Sequence, residues 1–67
     1  MNVYEVHLDH QIEGRKEGTF SSFEKAEKYV IETLKCDPKS MRSYSNYKTW
    51  FYSCNHLQYY IQEINVL

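Results

Sequence analysis

The sequence has one proline, Pro38, and two glycines, Gly14 and Gly18, in 67 residues. So few breakers exclude a Pro- or Gly-rich linker and any low-complexity tract. The longest uninterrupted apolar runs are very short, which excludes a transmembrane helix and sets the expectation of no membrane partner. Charge of either sign is scarce in excess: the net charge is −1. That excludes the strong field of a dedicated duplex-DNA binder and of an acidic DNA mimic. Only two cysteines occur, Cys36 and Cys54, too few for a disulfide framework. The opening Met1-Asn2-Val3-Tyr4-Glu5 shows neither the basic nor the apolar region of a secretory leader. The chain is therefore expected in the cytoplasm, with both thiols free.

What is present points to a folded chain. The apolar fraction is 42% and the charged fraction 25%, both near globular averages. Aromatics make up 16%, seven of them Tyr, so a few large rings can replace many aliphatics in a small core. The length allows one domain, residues 1–67, with no linker. A domain this short buries only roughly 60% of the surface its unfolded chain exposes. A deep catalytic cleft would compete with the core for the same side chains, which favours binding, regulation or assembly over catalysis.

Tyr4, Val6 and Leu8 alternate with Glu5, His7 and Asp9, the period of a strand with one buried face. The charged stretch from Glu13 to Gly18 reads as a hairpin tip, where glycine tolerates positive φ, and a short second strand ends at Thr19-Phe20. Ser21 as N-cap with Glu24 three residues on reads as a capping box. Phe23, Ala26, Val30 and Leu34 form one helical stripe, predicting a helix from Ser22 to about Lys35. Pro38 ends it, because the residue before a proline leaves the α region. Ser43 to Cys54 and Leu57 to Val66 are rich in strand formers and read as a hairpin turning at Asn55. The fold class is then α+β: two layers, one helix on a small, mainly antiparallel sheet, in the order β-β-α-β-β.

Both faces of the last hairpin carry large rings. Counted along one unbroken strand, Tyr47 and Phe51 share a face, and Tyr44, Trp50 and Tyr52 share the other. The following strand opposes Leu57, Tyr59 and Ile61 to Tyr60, Ile64 and Val66. One helix covers one face, so the expectation is a protein interface, with a partner or a second copy, built from Tyr44, Trp50, Tyr52 and Tyr60 and centred on Trp50. A different class of function rests on Lys39, Arg42 and Lys48 interleaved with Tyr44, Tyr47 and Trp50. Cations beside stacking rings are the ingredients of single-strand nucleic-acid binding, and Lys39, Arg42, Tyr47 and Lys48 are its expected contacts.

No catalytic residue, cofactor or metal is expected. Zinc needs four converging ligands, whereas His7 and His10 point to opposite faces of a strand, and Cys54 with His56 makes only a short C-x-H. Cys54 and His56 lack a third orienting group for nucleophilic catalysis, and Cys36 at a helix C-terminus sits where the dipole disfavours a thiolate. The glycines of Glu13 to Gly18 lack the spacing of a phosphate loop.

The run Gly18-Thr19-Phe20-Ser21-Ser22-Phe23-Glu24-Lys25-Ala26-Glu27, with the Tyr-rich strand pair after the helix, resembles a strand-to-helix junction in small uncharacterised proteins of phages and their bacterial hosts. The resemblance implies a small sheet with one helix and carries over no catalytic residue. Size and Lys/Asn/Tyr-rich usage are also similar to phage early proteins that bind and redirect host machinery. It implies a modulator or inhibitor of a host protein, acting in the host cytoplasm.

Overall fold

The alternation of Tyr4, Val6 and Leu8 becomes strand β1 (Asn2–Leu8), with Val6 and Leu8 in the core. The computed structural model describes residues 1–12, 14–44 and 46–66. The chain turns at Gln11 and Ile12 and returns as β2 (Arg15–Phe20). The hairpin tip expected over 13–18 is thus corrected: Arg15 to Gly18 are strand, and Glu13 lies outside the described residues. Positive φ is not what the glycines supply, since neither has it. A Cβ at Gly14 would stand 2.8 Å from the carbonyl oxygen of His10, so close backbone approach selects glycine there. Val6 pairs with Gly18 but His7 pairs with Lys16, so Glu17 is the extra residue of a β-bulge.

Ser22, not Ser21, caps the helix, its Oγ accepting the Lys25 N–H at 3.2 Å. Ser21 Oγ instead accepts from Lys25 Nζ at 3.1 Å. The capping box is therefore corrected: Glu24 lies in the first turn, where its charge meets the positive end of the dipole. Helix α1 (Phe23–Lys28) widens into a π-helical segment (Tyr29–Thr33). It ends before Pro38 is reached: Lys35 takes φ 62°, and the Cys36 N–H returns to the Val30 carbonyl at 3.1 Å. Ala26 and Val30 are fully buried, with Phe23 and Leu34 packed against the same core.

The single strand expected from Ser43 to Cys54 is also corrected. It divides into β3 (Arg42–Tyr44) and β4 (Thr49–Cys54), followed by β5 (Leu57–Asn65). Between β3 and β4 the Tyr47 N–H closes on the Tyr44 carbonyl at 2.9 Å and Lys48 takes φ 49°. Ser45 lies outside the described residues. Asn55, at φ 54°, turns β4 into β5. The five strands form one antiparallel sheet in the order β2-β1-β5-β4-β3.

The helix packs across β1, β2 and β5, and its side chains reach β4. Phe23 meets Trp50 with ring centroids 4.7 Å apart, Glu27 accepts from the Tyr52 hydroxyl at 2.8 Å, and the Leu34 carbonyl accepts from Cys54 Sγ at 2.7 Å. Tyr52 retains 1% of its exposure and Ile61 and Val6 none. Fully burying a side chain of this size contributes on the order of 2–3 kcal/mol, so this face carries the core. Trp50 and Tyr52, expected on the uncovered face, therefore lie beneath the helix. The helix covers the face that carries Val6, Ile61, Trp50 and Tyr52, and the turn after Tyr44 breaks the parity count, so Tyr44 pairs with Thr49 and falls on the Phe51 side.

Candidate functional site

The sheet face away from the helix is built by the other half of each alternation. Residues directly opposite across an antiparallel pair share a face, and one row crosses all five strands. Lys16 of β2 pairs with His7 of β1, His7 with Tyr60 of β5, Tyr60 with Phe51 of β4, and Phe51 with Arg42 of β3. The row therefore has rings at its centre and a cation at each edge.

The rings touch in sequence. His7 stacks on Tyr60 at 5.0 Å with planes 11° apart. Tyr60 tilts against Phe51 at 5.5 Å, and Phe51 meets Tyr44 edge-on at 5.5 Å. Tyr44 and Tyr47 are exposed, Tyr47 at 74%. Together with Arg42, Phe51 and Gln58 they line a shallow depression of about 330 Å³. Gln58 is held in place from both ends of its amide. Its Oε1 accepts from Arg42 Nη2 at 3.3 Å and its Nε2 donates to Asp9 Oδ2 at 2.7 Å.

The electrostatics of this face are mixed. Lys16 Nζ lies 3.8 Å from Glu5 Oε2, and His7 Nε2 lies 2.9 Å from Glu5 Oε1. One carboxylate thus faces two nitrogens at the β1–β2 end. Arg42 supplies the positive charge at the other end. A nearly neutral aromatic surface with one guanidinium suits burial against another surface better than capture of a polyanion.

Of the four expected interface residues, Tyr44 and Tyr60 stand on this face and Trp50 and Tyr52 do not. Of the four expected nucleic-acid contacts, Arg42 and Tyr47 come together in the depression. Lys48 instead sits 3.7 Å from Glu63, which pairs with Tyr4 on the helix side. Lys39 lies in the short 3-10 turn Pro38–Ser40, tied by its N–H to Asp37 Oδ1 at 2.9 Å. Phe51, His7 and Gln58 were not among the expected site residues. A turn read at Asn46, a residue that favours turns, would have put Tyr44 on the side of Phe51 and away from Trp50.

The residues weighed for metal binding are dispersed. His10 Nδ1 accepts the Ile12 N–H at 3.2 Å within the β1–β2 turn, His56 is exposed at the β4–β5 turn, and Cys54 is buried under the end of the helix. Among the described residues no three His, Cys, Asp or Glu side chains converge.

No family model matches this chain. Neither a curated protein nor a solved structure shows significant similarity to it. Among the described residues no helix is long and apolar enough to cross a membrane.

Proposed function

We propose that this chain is a non-catalytic protein-interaction module whose working surface is the open sheet face around Phe51, Tyr60, Tyr44 and Tyr47. One observation carries the reading: the ring row crosses the sheet on the side away from the helix and ends in the depression beside Arg42. Tyr, Phe and Arg with few net charges is the composition of an interface core, and aromatic and Arg anchors dominate binding energy. The scaffold is a two-layer α+β arrangement in which the helical layer is spent on the core, leaving the second face for a partner. That partner is a protein, a foreign chain or a second copy. A cytoplasmic modulator of a host protein, as the phage-type resemblance implies, fits this role.

The test compares two sides of one sheet. A Tyr47→Ser, Phe51→Ser double variant strips the open face, whereas Trp50→Phe changes only the side beneath the helix. Partner retained from an extract of the source cells by the wild type and by Trp50→Phe is expected to be lost from the double variant. Equal retention by the double variant, with its fold intact by circular dichroism, contradicts the proposal.

A second reading has its own observation: the same row has a cation at each edge, Lys16 and Arg42, around rings on which bases could stack. Titration with mixed-sequence single strands at low salt distinguishes it. Binding that weakens steeply with salt and is lost in Tyr47→Ser, Phe51→Ser supports nucleic acid. A flat titration removes it.

A further inference from the structure

The two thiols lie outside the open face and belong to one core cluster. Cys36 and Cys54 are both buried, at 3% and 8% exposure, in the same core cluster. Cys54 Sγ itself donates to the Leu34 carbonyl, two residues before Cys36. The peptides adjoining them are already joined, the Asp37 N–H donating to the Ser53 carbonyl at 3.0 Å. A disulfide requires Cα atoms roughly 4.4–6.8 Å apart, and the backbone bond between the adjoining peptides holds the two residues side by side.

We infer that Cys36 and Cys54 form a reversible intramolecular disulfide that staples the end of the helical segment to β4. The oxidant is a small-molecule disulfide of the glutathione class. Cys54, the more accessible, loses its proton and its thiolate attacks one sulfur of the oxidant, releasing one glutathione thiolate. Cys36, deprotonated in turn, attacks the Cys54 sulfur of the mixed disulfide and releases the second. The protein loses two protons and two electrons, and one glutathione disulfide becomes two glutathione thiols.

The surroundings set how this proceeds. Burial, with Cys54 beside it, pushes the Cys36 thiol up to about 12, so little thiolate forms in the closed state and exchange is slow. Lys35, next to Cys36, is held at φ 62°, in a region costly for a side chain. Cys54 gives up its bond to the Leu34 carbonyl when it reacts. The bridge closes residues 37–53 into a loop, constraining the unfolded chain.

The experiment uses the purified full chain, incubated with oxidised glutathione at neutral pH without denaturant, then alkylated and weighed intact. The expected product is a monomer that has lost two hydrogens, takes up no alkylating reagent and returns to the dithiol with a reductant. Its melting midpoint is expected to be higher than that of the reduced chain by about 10 °C. Cys36→Ser is expected to stop at the Cys54–glutathione adduct. A wild-type chain that keeps two alkylatable thiols, stops at the glutathione adduct, forms only intermolecular dimers, or melts lower once bridged overturns the inference.

Discussion

The hydroxyl of Tyr52, at the edge of the core, donates to Glu27 Oε2 at 2.8 Å. A hydrogen bond to a charged group contributes roughly 1.5–3 kcal/mol, less where water can reach it. Tyr52→Phe keeps the ring and is expected to lower stability by about 1–2 kcal/mol in urea unfolding; an unchanged midpoint contradicts the role given to this pair. The same ring sets an alkaline limit. Burial, then Glu27, raises Tyr52 above its ordinary 10.0; burial chiefly raises Tyr59; and Cys36 moves from 9.0 to about 12. Each group is neutral when protonated and holds its proton more tightly when folded. Their contribution is fully present below the unfolded values and is lost as pH rises through the folded ones. Stability is therefore expected to fall from about pH 9 toward pH 12, and Cys36→Ala is expected to soften the onset. A urea midpoint that rises between pH 9 and 11 contradicts the sign.

At the scale of elements, what could be read from the sequence was what depends on period. The β1 alternation and the Phe23, Ala26, Val30, Leu34 stripe point to the core face without tertiary information, because each repeats over several turns or pleats. What depends on a single residue's φ could not be read the same way. Lys48, at φ 49°, splits the Tyr-rich run into β3 and β4, and that split reverses which side Tyr44 takes relative to Trp50. Lys35, at φ 62°, ends the helical segment ahead of Pro38. Two substitutions probe these elements by chemical denaturation. Lys35→Gly removes the side-chain cost of the left-handed conformation and is expected to stabilise by about 0.5–1 kcal/mol; destabilisation contradicts the assigned φ. Val30→Asp places a charge at a site with no exposure and is expected to abolish cooperative unfolding. Retained cooperativity with little loss contradicts the packing of the helix on the sheet.

For the whole molecule, the two faces of one sheet differ in what they carry. The helix side concentrates Val6, Ile61, Tyr52 and Val30, and the open side carries the His7–Tyr60–Phe51–Tyr44 row. The only Trp reports which side is which. Trp50 packs against Phe23 and Tyr4, so its emission is expected to be blue-shifted and weakly quenched by iodide. Its quenching is also expected to be indifferent to Tyr47→Ser, whereas strong quenching contradicts the face assignment. In the proposed function, partners meet the chain on the side away from the helix. The most direct measurement of this contact is photo-cross-linking in the source cells, with a benzophenone side chain placed at Tyr47 on the open face or at Lys28 on the exposed helix. A discrete protein adduct, or a dimer of the chain itself, is expected from position 47, lost when Phe51→Ser is added, and none from position 28. Adducts from position 28 alone, or adducts to nucleic acid alone from position 47, would contradict the proposed function.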